Sequence, residues 1–180
     1  MNSSRAILLF VLLLLTAPSS VAQEHFFFEQ PRPFKHPVKL PSGALQLLRR
    51  EIQGVRGCGL NQSTNIAPWF KASRIDLGAN RRAFIVRSYQ DCLNGVDNDW
   101  FWIVLKKPGG YQLLLHGGTI SLTVRTARTR GFPDIETNAA TAEGNYTDIY
   151  KFDGAVYKAH TCTHTSFSTG KPERVSCRAQ

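Results

Sequence analysis

From residue 71 onward the chain alternates apolar and polar side chains over short stretches separated by turn residues, the pattern of half-buried strands. Strands are predicted over 72–77 and 83–89, flanking Gly78-Ala79-Asn80, and over 99–106 and 111–116, flanking Lys107-Pro108-Gly109-Gly110. A third pair, 146–152 and 155–160, flanks Asp153-Gly154, a dipeptide that accepts positive φ at both central positions of a tight turn. A further strand is expected over 120–125. The segment 99–106 departs from simple alternation. Phe101, Ile103 and Leu105 fall on one face and Trp100, Trp102 and Val104 on the other, so both faces are apolar and the strand belongs at the centre of the core. Hairpins in series with no intervening helix predict a mainly β domain, an antiparallel meander built as a sandwich or in the manner of a propeller blade.

Upstream the period changes. Leu45, Leu48 and Ile52 fall at i, i+3 and i+7, which predicts one short N-terminal helix, capped by Ser42 and ended by Gly54 in a left-handed conformation. Arg49 and Arg50 suit its last turn, where cations complement the helix dipole. Residues 23–41 carry Phe26, Phe27 and Phe28 and prolines at 31, 33, 37 and 41. Proline lacks the N–H of a helix or central strand, so this stretch is expected to be an extended arm, its phenylalanines docked on the domain 42–180 or offered to a partner.

The first 22 residues read as a signal peptide. Arg5 precedes an apolar run over 6–15, and Ser20-Val21-Ala22 places small residues before a cleavage point at Gln23. The run is half the roughly 20 residues needed to span a bilayer, so a secreted or periplasmic protein with no transmembrane anchor is expected. The four cysteines, Cys58, Cys92, Cys162 and Cys177, lie downstream of it, and export favours two disulfides. Three connectivities are possible. Compact loops favour Cys58–Cys92 and Cys162–Cys177. The formal net charge is +9, or +8 without Arg5, which draws an exported protein toward anionic partners.

Candidate chemistry is sparse. Arg125, Arg128 and Arg130, with Arg81 and Arg82, form the densest basic set and could grip phosphate or carboxylate. His160, Cys162 and His164 would share one face of a regular strand and could ligate zinc or copper, were Cys162 not also a disulfide candidate. The loop 91–99 offers Asp91, Asp97 and Asp99, with Asn94 and Asn98, as oxygen ligands for calcium, though without the EF-hand spacing. Asp and Asn also form turns unaided. Asn61-Gln-Ser63 and Asn145-Tyr-Thr147 match the glycosylation acceptor pattern. His116, Asp134 and several serines fit no hydrolase motif, so no catalytic residue is assigned.

The phrase Asp76-Leu-Gly-Ala-Asn-Arg-Arg-Ala-Phe-Ile-Val resembles the Asp-rich hairpin of FG-GAP/VCBS-like β repeats. Gly131-Phe-Pro-Asp134-Ile135 and Tyr150-Lys-Phe-Asp-Gly-Ala-Val-Tyr157 are similar to phrases in small exported bacterial proteins of that type. The resemblance, discontinuous over 72–160, implies β-propeller-like blades used for binding, often supported by calcium. Gly78 and Asn80 replace most of the acidic ligands. The function expected is a non-catalytic exported or envelope-associated binding module whose partner is a protein or an anionic glycan. Sequence-specific nucleic-acid recognition is not expected. A secreted hydrolase or an enzyme inhibitor is the alternative, and oligomeric state stays open.

Overall fold

The computed structural model describes residues 23–28, 34–79, 81–95 and 98–177. The expected signal peptide, the prolines at 31 and 33, Asn80 and the calcium candidate Asp97 lie outside them. Two antiparallel sheets pack face to face, and one helix covers the outer face of the smaller sheet. In chain order the elements are β1 (Glu24–Phe27), β2 (Pro37–Val38), α1 (Ser42–Ile52), β3 (Phe70–Asp76), β4 (Arg82–Ser88), β5 (Asp99–Lys107), β6 (Gly110–Thr119), β7 (Ser121–Thr129), β8 (Phe132–Ala140), β9 (Gly144–Phe152), β10 (Tyr157–Ser166) and β11 (Pro172–Val175). The smaller sheet has the order β2-β3-β4-β5-β6 and the larger β1-β7-β8-β9-β10-β11. Each is a meander with one added edge. The arm supplies those edges, β1 to one sheet and β2 to the other, and Pro37 in β2, lacking an N–H, suits an edge position.

Strand β5 explains the layering. Phe101, Ile103 and Leu105 join an inter-sheet core with Ile85 of β4, Leu122 of β7, Ile135 of β8 and Tyr157 of β10. Trp102 and Val104 face the other way and pack with Phe70, Phe84 and Val86 beneath Ala44, Leu47, Leu48 and Ile52 of α1. From Phe101 to Leu105 the strand therefore has no wet face, and the helix is what allows this, while Trp100 and Lys106 at its ends stay exposed. Trp102 meets Phe70 edge-on at 5.4 Å between centroids.

The arm is part of the core. Phe28 is 0% exposed, against 48% for Phe27. The Phe28 ring lies 6.1 Å from Phe34 and 5.9 Å from Phe101. The Phe28 carbonyl accepts a 3.1 Å hydrogen bond from Nη1 of Arg87, a β4 residue that is itself fully buried. Arg87 Nη2 donates to the Tyr89 hydroxyl, and the Tyr89 and Phe34 rings lie 4.3 and 5.7 Å from its guanidinium. A buried cation is tolerated only with such partners.

The disulfides are Cys58–Cys92 and Cys162–Cys177, closing loops of 34 and 15 residues. In the loop-entropy account each contributes roughly 3–4 kcal/mol. Three local expectations are corrected. Pro41, not Ser42, occupies the N-cap, and no side chain caps the helix. Gln53 ends it in the right-handed region, so Gly54 plays no left-handed role. In the β9–β10 turn Asp153 does not adopt positive φ; its Oδ1 accepts the N–H groups of Ala155 and Val156 at 2.8 and 2.9 Å, and Gly154 alone turns left-handed. Those two bonds hold the Asp153 carboxyl below its ordinary pKa.

If the arm is core rather than tether, Phe28→Ala should cost about 3–5 kcal/mol in urea denaturation and Phe27→Ala less than about 1 kcal/mol. Equal costs would contradict its placement.

Candidate functional site

The hairpin turns gather arginines at one end of the sandwich. Gly78 and Ala79 turn β3 into β4 with φ of 79° and 50°, and Arg130 and Gly131 turn β7 into β8 with φ of 53° and 78°. Arg81 Nη1 donates to the Gly78 and Gly131 carbonyls at 3.2 and 3.3 Å, and its guanidinium lies 4.1 Å from the centroid of the Phe132 ring. Arg128 Nη1 donates to the same Gly131 carbonyl at 3.3 Å. Arg130 Nη1 donates to the Asp153 carbonyl. These three predicted residues therefore converge, held by backbone oxygens from both sheets. Arg125 does not join them. Residues 125–127 bulge out of the β7–β8 register, and Arg125 pairs with Glu136 at 3.2 Å.

Beside this cluster a cleft of about 910 Å³ opens on the outer face of the smaller sheet, lined by Pro41, Arg74, Asp76, Arg81, Arg82, Phe84, Lys106 and Tyr111, and by Glu24 reaching over from β1. It begins at the N-terminal end of α1. A Cβ at Gly43 would stand 3.0 Å from the Tyr111 ring, so glycine there lets the helix start sit against Tyr111. Beyond that point the sheet face is uncovered. In the β3–β4 register Arg74 faces Phe84 and Asp76 faces Arg82, and in β5–β6 Lys106 faces Tyr111. The Phe84 and Tyr111 rings lie 6.4 Å apart at the floor. Asp76 Oδ1 accepts the Gly78 N–H at 2.6 Å. Among the described residues the Arg125–Glu136 bridge is the only ion pair, so the Arg74, Arg82 and Lys106 charges are not neutralised by a carboxylate in contact.

Next to the arginine cluster, Asp134 is buried and accepts the Thr129 hydroxyl at 2.7 Å. Tyr157 donates to the Pro133 carbonyl at 2.8 Å. Burial, and then the Asp134 charge, push the Tyr157 hydroxyl well above its ordinary pKa. His116 is elsewhere, stacked on Trp100 at 5.6 Å on the outer face of the other sheet. Asp134 and His116 therefore have separate partners and do not form an acid–base pair.

The metal candidates are placed as follows. His160 is the extra residue where the β9–β10 register shifts, which breaks the alternation that would align it with Cys162 and His164. Cys162 is disulfide-bonded. His164 stacks on Tyr146 at 4.6 Å. In the other candidate loop Asp91 opens a short 3₁₀ turn, and Asp99 begins β5 with its pKa raised by burial, the Arg87 charge opposing the rise. Asn94 accepts the Trp100 N–H at 3.2 Å, and Asn98 brackets Ala140 with bonds of 2.8 and 3.0 Å, so both amides hold the loop in place. Among the described residues no group of three or more His, Cys, Asp or Glu side chains is placed to hold a metal ion.

Arg74, Lys106 and Tyr111 were not singled out from the sequence. Counting outward from the two turns would have placed them beside Arg82, since residues across an antiparallel pair share a face. Compared with protein-family models, with curated proteins and with solved structures, the chain matches none.

Gly78 is constrained twice, by its φ of 79° and by Arg128 Nη1, which would lie 2.4 Å from an added Cβ. Gly78→Ala should therefore lower stability by about 1–2 kcal/mol in urea denaturation. A loss under about 0.3 kcal/mol would contradict the turn geometry.

Proposed function

We propose that the chain is an exported, non-catalytic binding module that recognises an anionic glycan in the cleft beside α1. The observation that carries this reading is the set of Arg74, Arg82 and Lys106, three cations on one concave face with no contacting carboxylate among the described residues. Arginine fits sulfate or carboxylate through paired N–H donors, and the Phe84–Tyr111 floor offers ring faces to a sugar. A groove of about 910 Å³ suits an extended chain better than the flat contact typical of folded protein partners. Arg81, Arg128 and Arg130 continue the positive surface around the sandwich end, so a polymer longer than the cleft meets further charge. The two disulfides and the leader-like residues 1–22 support an extracytoplasmic setting. Among the described residues no helix is long and apolar enough to cross a membrane.

Dextran sulfate provides the test, with neutral dextran as control. Wild-type protein should bind the sulfated polymer with affinity that falls steeply as salt rises, and should ignore the neutral one. Replacing Arg74, Arg82 and Lys106 by alanine should weaken binding at least about tenfold, a loss of about 1.4 kcal/mol. Replacing Lys171 and Arg174, on the far edge of the larger sheet, should cost less than about threefold. Equal losses from the two sets would reduce the interaction to net charge and overturn the proposal.

A further inference from the structure

Glu24 belongs to the edge strand of the larger sheet, yet it lines the cleft on the smaller one. Facing it there are Arg74 and Asp76 of β3, Arg81 of the β3–β4 turn, Arg82 of β4, Lys106 of β5 and Tyr111 of β6. On its other side is a second groove, shared with His25 of its own strand, Lys35 and His36 of the arm, and Arg74. The His25 ring is bonded through Nδ1 to the Thr123 hydroxyl at 2.8 Å. Asp76 is engaged by the turn through the Gly78 N–H. Glu24 is different, since among the described residues no cation lies within ion-pair distance of its carboxylate. A site built only to attract anions would have no use for a half-buried carboxylate at its mouth.

Resting on the reading of the cleft as a polyanion site, we infer that Glu24 is a proton-operated gate: its carboxylate repels the anionic chain, and binding is coupled to uptake of one proton there. The environment favours this. Burial first, and the Asp76 charge second, raise the Glu24 pKa above the ordinary carboxylate value, and an anion in the cleft adds a further negative neighbour that raises it more. By linkage, affinity rises as pH falls toward the Glu24 range. The same sign holds for the fold. A carboxyl whose folded pKa is raised stabilises the protein below its unfolded pKa, and that contribution is lost as pH rises through the folded value.

The test compares wild type with Glu24→Gln for binding to dextran sulfate, whose sulfate esters stay ionised throughout. At about pH 7.5 the variant should bind about fivefold tighter, the effect of removing one nearby partly screened charge. At about pH 4.5 the two affinities should converge as Glu24 becomes protonated. His25 and His36 are retained in both proteins, so the two differ only at the Glu24 carboxyl. Glu24→Gln should also melt higher than wild type at neutral pH, with the gap closing in acid, which reports the carboxyl without any ligand. A ratio that stays constant across pH, or equal affinities at neutral pH, would overturn the gate while leaving the cleft intact. Failure of both proteins to bind dextran sulfate would instead overturn the reading on which the gate rests.

Discussion

A strand that is apolar on both faces cannot lie at a surface, and β5 is such a strand. Phe101, Ile103 and Leu105 need one cover, and Trp102 and Val104 need another. The rest of the molecule follows from meeting both needs within one chain. The larger sheet, reached through the short step Thr119-Ile120-Ser121, closes the inner face. Helix α1 closes the outer face, and its apolar residues exist for that contact. The helix, however, has 11 residues and spans about 16 Å, whereas strands of seven to ten residues run about 23–33 Å. One end of the outer face is therefore left uncovered. At that end the sequence changes from Val86, Trp102 and Val104 to Arg74, Arg82 and Lys106, and the same geometry that requires a helix leaves a cleft beside it.

The arm solves a second problem, the joining of the two sheets along one side. By contributing β1 and β2 it pairs with both, and by inserting Phe28 and Phe34 it fills the gap between them. Arg87 ties this closure down from inside, through the Phe28 carbonyl and the surrounding rings. Because β1 is held in this way, Glu24 is carried to the mouth of the cleft, so joining the sheets and placing an acidic residue among cations are one structural event.

Much of the fold was legible because it depends on periods. The two-sided burial at the centre of 99–106, though not at Trp100 or Lys106, the hairpins around Gly78 and Pro108, the helix and both disulfide pairs follow from alternation, turn chemistry and loop compactness. What was missed lacks a local signal. Strand β8 was not read because Phe132-Pro-Asp-Ile-Glu-Thr-Asn mixes polar with apolar residues, yet Asp134 and Thr137 are buried, the Asp134 carboxylate accepting the Thr129 hydroxyl. The alternation argument failed at His160 because one inserted residue shifts the phase, and nothing in His-Thr-Cys-Thr-His announces a bulge. The basic set was half read. Arg81, Arg128 and Arg130 do meet, but Arg125 is diverted to Glu136 by the β7 bulge. Arg74 and Lys106 join the site through register, a long-range property that composition does not carry.

The proposed cleft requires that ligand binding localise to the uncovered end of the smaller sheet. Amide chemical-shift mapping during titration with a short dextran sulfate oligosaccharide addresses it most directly. Shifts concentrated at Gly43, Arg74, Arg82, Phe84, Lys106 and Tyr111, with β11 and the Trp100–His116 stack unmoved, are the result expected. Shifts spread evenly over the basic surface, or centred on Trp100, would contradict it.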